Sequence, residues 1–403
     1  MARESRSHSP ATESFSLFQD DLINRLFRII GLGPERLIHI LGRIAILIGL
    51  TWVPVALLAS YSDVGTDQPP GQNFFLDLAA YAQFFIGLPL FVFAEYVIAR
   101  STEDAAAHFR STGLLPKHSM NLVERWNARI RDLRTARWSD VVCLAIGYVL
   151  VSVWIWPELH NATETWHALG PVGHQSLTAA GAWEVFIALP LLDYWWLRWI
   201  WKIGLWCWYL AKLSSVQLSI VASHPDETGG LGFLSDVQTK FGWVILAYGV
   251  TNIAATVAYK LTIEQTPATF MAVWGPMVSF IIGAPLVFSV PLFMFTKQLH
   301  HAKRRALAHF HRNVTERALM LERTWMQACD SKEYAPMIDA EVAGLNSIHA
   351  LYNHLQKMRV VPLDLRSFAE LVGYATGPFL PLVSLLERLQ AQWMKDFIHQ
   401  IFG

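Results

Sequence analysis

The chain is 403 residues long, 53% hydrophobic and only 16% charged, with 17 tryptophans and a formal net charge of zero. Soluble domains carry about a quarter charged residues, so this balance points to a lipid-facing protein, and the neutral total gives no electrostatic basis for nucleic-acid binding. The three cysteines form no C-x-x-C pair and support neither a zinc ribbon nor a disulfide framework.

Residues 1–36 begin with fourteen polar-rich positions and no small-residue cleavage site, so a cleaved signal peptide is not expected. Phe15, Phe18, Leu22, Leu26 and Ile29 then share one helical face, opposite Asp21, Asn24, Arg25 and Arg28, before Gly31 and Gly33-Pro34 end the helix. Two readings fit: an interfacial helix on the cytoplasmic leaflet, or a helix packed against cytoplasmic loops.

Six later segments, 37–60, 74–98, 139–157, 180–205, 241–262 and 271–296, supply the run of about twenty apolar residues that a bilayer core of roughly 30 Å demands. Unpaired backbone groups are not tolerated in lipid, so these are expected as helices. They are too long and too weakly alternating for barrel strands. Lys and Arg set the orientation. Arg3, Arg6, Arg25, Arg28 and Arg36 precede the first span, and the 99–138 connection carries eight more basic residues, from Arg100 to Arg137. The 61–73 and 158–179 connections carry none. Lys297, Lys303, Arg304, Arg305, Arg312, Arg317 and Arg323 follow the sixth span. The N-terminus and the polar C-terminal region are therefore expected in the cytoplasm.

The expected fold class is an all-α polytopic transmembrane bundle with helical cytoplasmic extensions. Its parts are residues 1–36, a six-helix domain over 37–296 with cytoplasmic loops 99–138 and 213–240, a cytoplasmic helical region 297–360, and a closing unit 361–403. Within 297–328, Leu307, Val314 and Leu321 repeat every seven residues, a seam for another helix of this chain or of a neighbouring subunit. Asp330-Ser331 marks a break before a second helix over about 336–358. The 367–386 stretch, with Glu370, Pro378 and Pro381, reads as a seventh span or a re-entrant segment, followed by an amphipathic tail bearing Leu389, Trp393, Phe397 and Ile401.

Ionisable residues inside spans are costly and default to functional candidates. Arg43, Glu95, Asp140, Asp193, Arg198 and Lys202 form that set. Arg198 and Lys202 share a helix face and need neutralising acids or an anion. One reading is an inner polar layer lining a permeation route. The other is snorkelling of Arg198 and Lys202 to headgroups beside an interfacial belt of Trp195, Trp196, Trp199, Trp201, Trp206 and Trp208. On the outer side Asp63, Asp67, Asp77, Glu158, Glu164, Glu184 and Glu264 face only Lys260, a bias that concentrates cations. Pro54, Pro89, Pro190, Pro276, Pro285 and Pro291 sit inside spans, where they either kink helices at ion sites or serve packing.

His160, His167 and His174 are spaced by seven in the outer loop, a divalent-metal candidate if the loop folds back, and otherwise solvated histidines. His300, His301, His309 and His311 lack metal spacing and read as part of a basic helix near anionic headgroups. The Asn161-Ala-Thr163 sequon matters only in a glycosylating host.

The string SHPDETGGLGFL over Ser223–Leu234 contains a turn at Pro225-Asp226 and permissive Gly229, Gly230 and Gly232. It lacks the helical hairpin of a chaperone-stimulating HPD loop, the strand and Lys-Ser/Thr of a phosphate loop, and a nucleophile beside His224 and Asp226. A structural hinge built on His224, Pro225, Asp226, Gly229 and Gly230 is the expected role. At this string the chain resembles a group of bacterial multi-pass inner-membrane proteins of similar length that share an HPD-x-x-GGLGFL loop. They also share an Arg/Trp-rich helix like Leu197 to Lys202, and a Leu/Pro-rich end like Met358 to Pro362 and Phe379 to Leu382. The resemblance implies the multi-pass topology and the inner membrane; it implies no activity.

The expected function is a channel or transporter for a small ion or solute, cations favoured, embedded in the lipid bilayer and homo-oligomeric. The alternative is a scaffold or signalling protein acting through its cytoplasmic helices. An enzyme ranks third, because no nucleophile, metal set or cofactor fingerprint appears; no cofactor is expected.

Overall fold

The computed structural model describes residues 22–33, 36–62, 64, 71–160, 164–171, 174–258, 267–328 and 336–383. Among them the fold is all-helical apart from one antiparallel pair, β1 (Ala168–Leu169) with β2 (Ser176–Leu177). The helices are α1 (Leu22–Ile29), α2 (Leu37–Ser60), α3 (Leu78–Ser111), α4 (Met120–Thr135) and α5 (Arg137–Glu158). Next comes α6, made of Ala179–Trp183, Glu184–Ala188 and Leu189–Ser215 joined end to end. Then follow α7 (Phe233–Ala258), α8 (Pro267–Ser289), α9 (Thr296–Ala328), α10 (Pro336–Lys357) and α11 (Leu365–Thr376).

Among the described residues five helical runs are long and apolar enough to cross a membrane: α2, α3, α5, α7 and the run of α8 into α9. Their outward faces fit lipid rather than water. Val141, Val149 and Val153 of α5 are at least 61% exposed, as is Val287 of α8 at 66%. Such continuous apolar exposure needs an apolar solvent. The sixth expected span, α6, is absent from this set because Asp193, Arg198 and Lys202 interrupt its apolar sequence. It is nonetheless the core helix: Leu192, Tyr194, Trp195, Trp199, Trp206, Tyr209 and Leu213 are buried together, and α5 packs along it. The tryptophans therefore form no simple interfacial belt, since Trp195, Trp199 and Trp206 are at most 4% exposed.

Three helices contain a π-helical turn: Ala82–Gly87 in α3, Glu184–Ala188 in α6 and Gly249–Ala254 in α7. Two have a visible cause. Leu88 N–H donates to the Gln83 carbonyl and Leu189 N–H to the Glu184 carbonyl, five residues back, and each is followed at once by a proline. Pro89 and Pro190 offer no N–H and crowd the preceding turn, so the ladder widens there instead of breaking. Pro291 acts differently, within the 3₁₀ segment Val290–Phe295 that separates α8 from α9.

Beyond the long apolar helices α10 packs back along α9. The Asp330-Ser331 break lies outside the described residues. The helix α11 continues through a 3₁₀ turn at Gly377–Phe379 and runs beside α7. Leu371 and Ala375 meet Ile245, and Phe379 and Leu382 meet Ala254 and Ala258. Gly242 lets the Tyr374 ring stand where a Cβ would otherwise be, so no larger residue fits. The amphipathic tail lies outside the described residues, as do the first part of the N-terminal helix, Asp63, Asp67, Lys260, Glu264 and the sequon.

Candidate functional site

The charged residues singled out in the spans fall into two separate places. Five of them form a closed inner layer. From α6, Tyr194, Arg198 and Lys202 recur every four residues and so share one face. Lys202 Nζ lies 3.2 Å from Glu95 Oε1 of α3. Arg198 Nη1 donates to Ser139 Oγ at 2.9 Å and lies 3.3 Å from Asp140 Oδ1 at the start of α5, which also accepts the Tyr194 hydroxyl at 2.8 Å. Arg43 of α2 joins through Asn24 of α1, which accepts from Arg43 Nη1 at 2.7 Å and donates to Glu95 Oε1 at 2.6 Å.

All of these side chains are buried, so Arg198 and Lys202 do not snorkel. Three cations and two carboxylates are offset by hydrogen bonds and by the aromatic faces of Phe27 and Trp199, which lie 5.1 Å from Arg43 Cζ and 5.6 Å from Lys202 Nζ. The void among Asn24, Glu95, Arg198 and Lys202 is about 10 Å³, at the lower limit for one water. The layer is therefore a packed network, whereas the sequence allowed it to line a route.

Asp193 stands apart. Five residues before Arg198 on a helix turns it about 140° away, into a polar cavity of about 350 Å³ between α3, α5, α6 and α7. Asp77, Glu184 and His167 line the same cavity, as do Gln83, Thr251 and Asn252. Each of the three π turns contributes: Gln83 from the first, Glu184 from the second, Thr251 and Asn252 from the third. Gln83 Nε2 donates to the Thr251 carbonyl at 3.2 Å, tying two π turns together. Gly87 lies against the Thr251 side chain with no room for a Cβ, which brings those turns to close approach. Asp193 makes no hydrogen bond or ion pair to another described residue, in contrast to every acid of the inner layer.

The outer boundary is the β1–β2 hairpin. Trp166 Nε1 donates to Asp77 Oδ2 at 2.8 Å, while Asp77 Oδ1 caps α3 through Ala79 N–H at 2.8 Å. His167 Nε2 lies 2.8 Å from Glu184 Oε2, with both side chains buried. Of the three spaced histidines, only His167 enters the cavity. His160 and His174 are exposed, and His160 stacks on Trp156. Among the described residues no group of three His, Cys, Asp or Glu side chains is placed to hold a metal ion.

The chain matches no known protein-family model, no curated protein and no solved structure.

The SHPDETGGLGFL loop is a braced knot. Asp226 accepts from the backbone N–H groups of Thr228, Gly230 and Gly232 at 2.9, 3.0 and 2.8 Å, and from the Thr228 hydroxyl at 2.8 Å. Partial burial pushes its carboxyl up, but these bonds together outweigh burial and hold it down at about 2. His224 Nδ1 lies 2.8 Å from Asp226 Oδ1, and Pro225 sets the turn. Gly229 and Gly230 have φ of 68° and 93°, which only glycine adopts without strain. From the other side Arg359 N–H donates to the Glu227 carbonyl at 2.7 Å, and Arg359 Nη1 pairs with Asp364 at 2.8 Å. The loop thus joins the start of α7 to the segment between α10 and α11.

The sequence reading named Asp193 and the outer acids, and it missed Asn24, Gln83, Thr251 and Asn252. A signal existed for the last three, as amide and hydroxyl side chains set within otherwise apolar runs.

Proposed function

We propose that the protein is a membrane transporter or channel for a small cation, with the Asp193 cavity as its cation site. The observation that carries this reading is a carboxylate with no hydrogen-bond or ion-pair partner among the described residues, facing a cavity that three π turns share. Holding a carboxylate partly out of water beside an apolar wall is costly, and Asp193 is half-buried in this way, so the arrangement is sensible where a cation comes and goes. π turns leave carbonyls off the regular ladder, available to a cation or its water. Beneath the cavity, the packed inner layer acts as a floor, the arrangement of a site accessible from one side at a time.

In this reading α6 is a sixth span. Glu184, Arg198 and Lys202 are buried in the bundle and Asp193 faces the cavity, while Lys212 is exposed in the last turn of the helix. The alternation of Lys and Arg among the connections favours a cytoplasmic N-terminus, α9 and α10.

The test is cation flux in proteoliposomes. Wild-type protein is expected to carry protons, alkali cations or organic monocations, and Asp193→Asn to lose the flux while remaining monodisperse. If no monovalent cation moves, the transport reading falls and a scaffold acting through α9 and α10 becomes the better account.

A further inference from the structure

A second cavity lies directly behind the first. It measures about 440 Å³, lies between α6, α7 and α8, and is lined by Trp199, Ile200, Ile203, Phe280 and Val287 with no ionisable carboxyl or amine. Its one hydroxyl from α8, Ser279, is already spent on the Gly275 carbonyl at 2.7 Å. The cavity opens toward the lipid side of the bundle, because Ile200 and Val287 on its rim are 51% and 66% exposed.

Trp196 and Tyr248 line both cavities. Their ring centroids are 5.3 Å apart with an interplanar angle of 35°, so the two rings form the partition. Asp193 stands one helical turn before Trp196, on the polar side. Tyr248 is also the last residue before the π turn of α7, where the helix can adjust without breaking.

We infer that the ligand of this site is an amphiphilic organic monocation, which enters sideways from the membrane. This rests on the cation reading above and names its substrate class. The apolar cleft takes the hydrocarbon body, the Trp196 and Tyr248 faces attract the charge, and Asp193 neutralises it. Each alternative leaves part of the arrangement unused. A hydrated alkali ion has no use for an apolar cleft of ligand size. A neutral lipophile leaves the carboxylate unpaired. A phospholipid acyl chain fits the cleft, but its phosphate is repelled by Asp77, Glu184 and Asp193.

The experiment is equilibrium binding of radiolabelled tetraphenylphosphonium to the purified full chain in an uncharged detergent. Saturable binding is expected, with affinity reduced at least about tenfold in Asp193→Asn and in Trp196→Ala, and retained in Asp193→Glu. Tetramethylammonium, with the same charge and little apolar surface, should not compete. If Asp193→Asn folds poorly, Trp196→Ala and Asp193→Glu carry the comparison. No saturable binding, or equal binding by wild type and Asp193→Asn, overturns the inference and leaves the cleft as a seat for lipid chains. Asp193-dependent alkali-cation or proton flux without tetraphenylphosphonium binding would sink the substrate class and leave transport standing. Asp193-dependent binding without any flux would do the reverse.

Discussion

Lys202 Nζ lies 3.2 Å from Glu95 Oε1 deep in the bundle, where both side chains are only 4% exposed. Removing one member of such a pair strands the other charge in a medium that cannot solvate it. Glu95→Gln should therefore cost about 3–5 kcal/mol, read as a large drop in melting temperature in detergent. Glu95→Gln combined with Lys202→Met should recover most of the loss, because the stranded charge is then gone. A single variant that melts like wild type would show that the pair adds nothing to the fold.

The HPD knot predicts a pH dependence with a definite sign. The Asp226 carboxyl is held at about 2, below its ordinary value of 3.8. Its ionised form therefore stabilises the folded state fully above about pH 4, and that contribution is lost as pH falls through about 2. Asp226→Asn, which loses an acceptor and turns a donor toward two of the loop's N–H groups, should cost about 1 kcal/mol at neutral pH after allowance for partial solvent screening. The difference from wild type should shrink between pH 4 and 2. A difference that stays constant over that range would place its origin in something other than the charge.

The spans were largely legible in the sequence because bilayer thickness imposes a length and composition that apolar runs display directly. The pairing of Arg198 and Lys202 with Asp140 and Glu95 was half legible, since a four-residue spacing and matched depth bring the right partners within reach. The separation of Asp193 from Arg198 is also available from helical angle, since five residues turn a side chain about 140° away. Asn24 was hidden, because the polar face of a short helix before a membrane domain reads as solvated until its burial is known. The π turns leave no periodic signal at all. Only the Leu-Pro junctions at Leu88-Pro89 and Leu189-Pro190 hint at two of them. The spacing of the histidines carries no signal for the neighbour of His167, because Glu184 is brought to it by tertiary folding.

Gly181 offers a sharp test of how the outer hairpin is seated. A Cβ there would stand 2.8 Å from His167 Cα and 2.9 Å from its carbonyl carbon, and backbone cannot yield as a side chain can. Gly181→Ala should lift β1 and β2 from the bundle, separate His167 from Glu184, and lower the melting temperature. Gly49→Ala in α2 is the contrast, with no heavy atom within 4 Å of its Cβ. That change should be neutral or stabilise by up to about 1 kcal/mol through helix propensity. Equal effects at the two positions would contradict the close seating.

The π turn of α6 can be removed by deleting one residue. Phe186 is suitable because it lies within Glu184–Ala188 and is 58% exposed, so its side chain contributes little packing. After the deletion Leu189 N–H meets the Glu184 carbonyl at the regular α-helical interval. The same donor and acceptor then close a four-residue turn, so the residues before it keep their facing toward Asp193, and what is lost is the widened turn with its carbonyls off the regular ladder. The inner layer lies on the other side of the deletion and keeps its register, so the bundle should still fold. The expected outcome is a melting temperature close to that of Phe186→Ala, with Asp193-dependent cation binding lost in the deletion and kept in the substitution. Binding that survives the deletion would mean that the π turn serves only to accommodate Pro190.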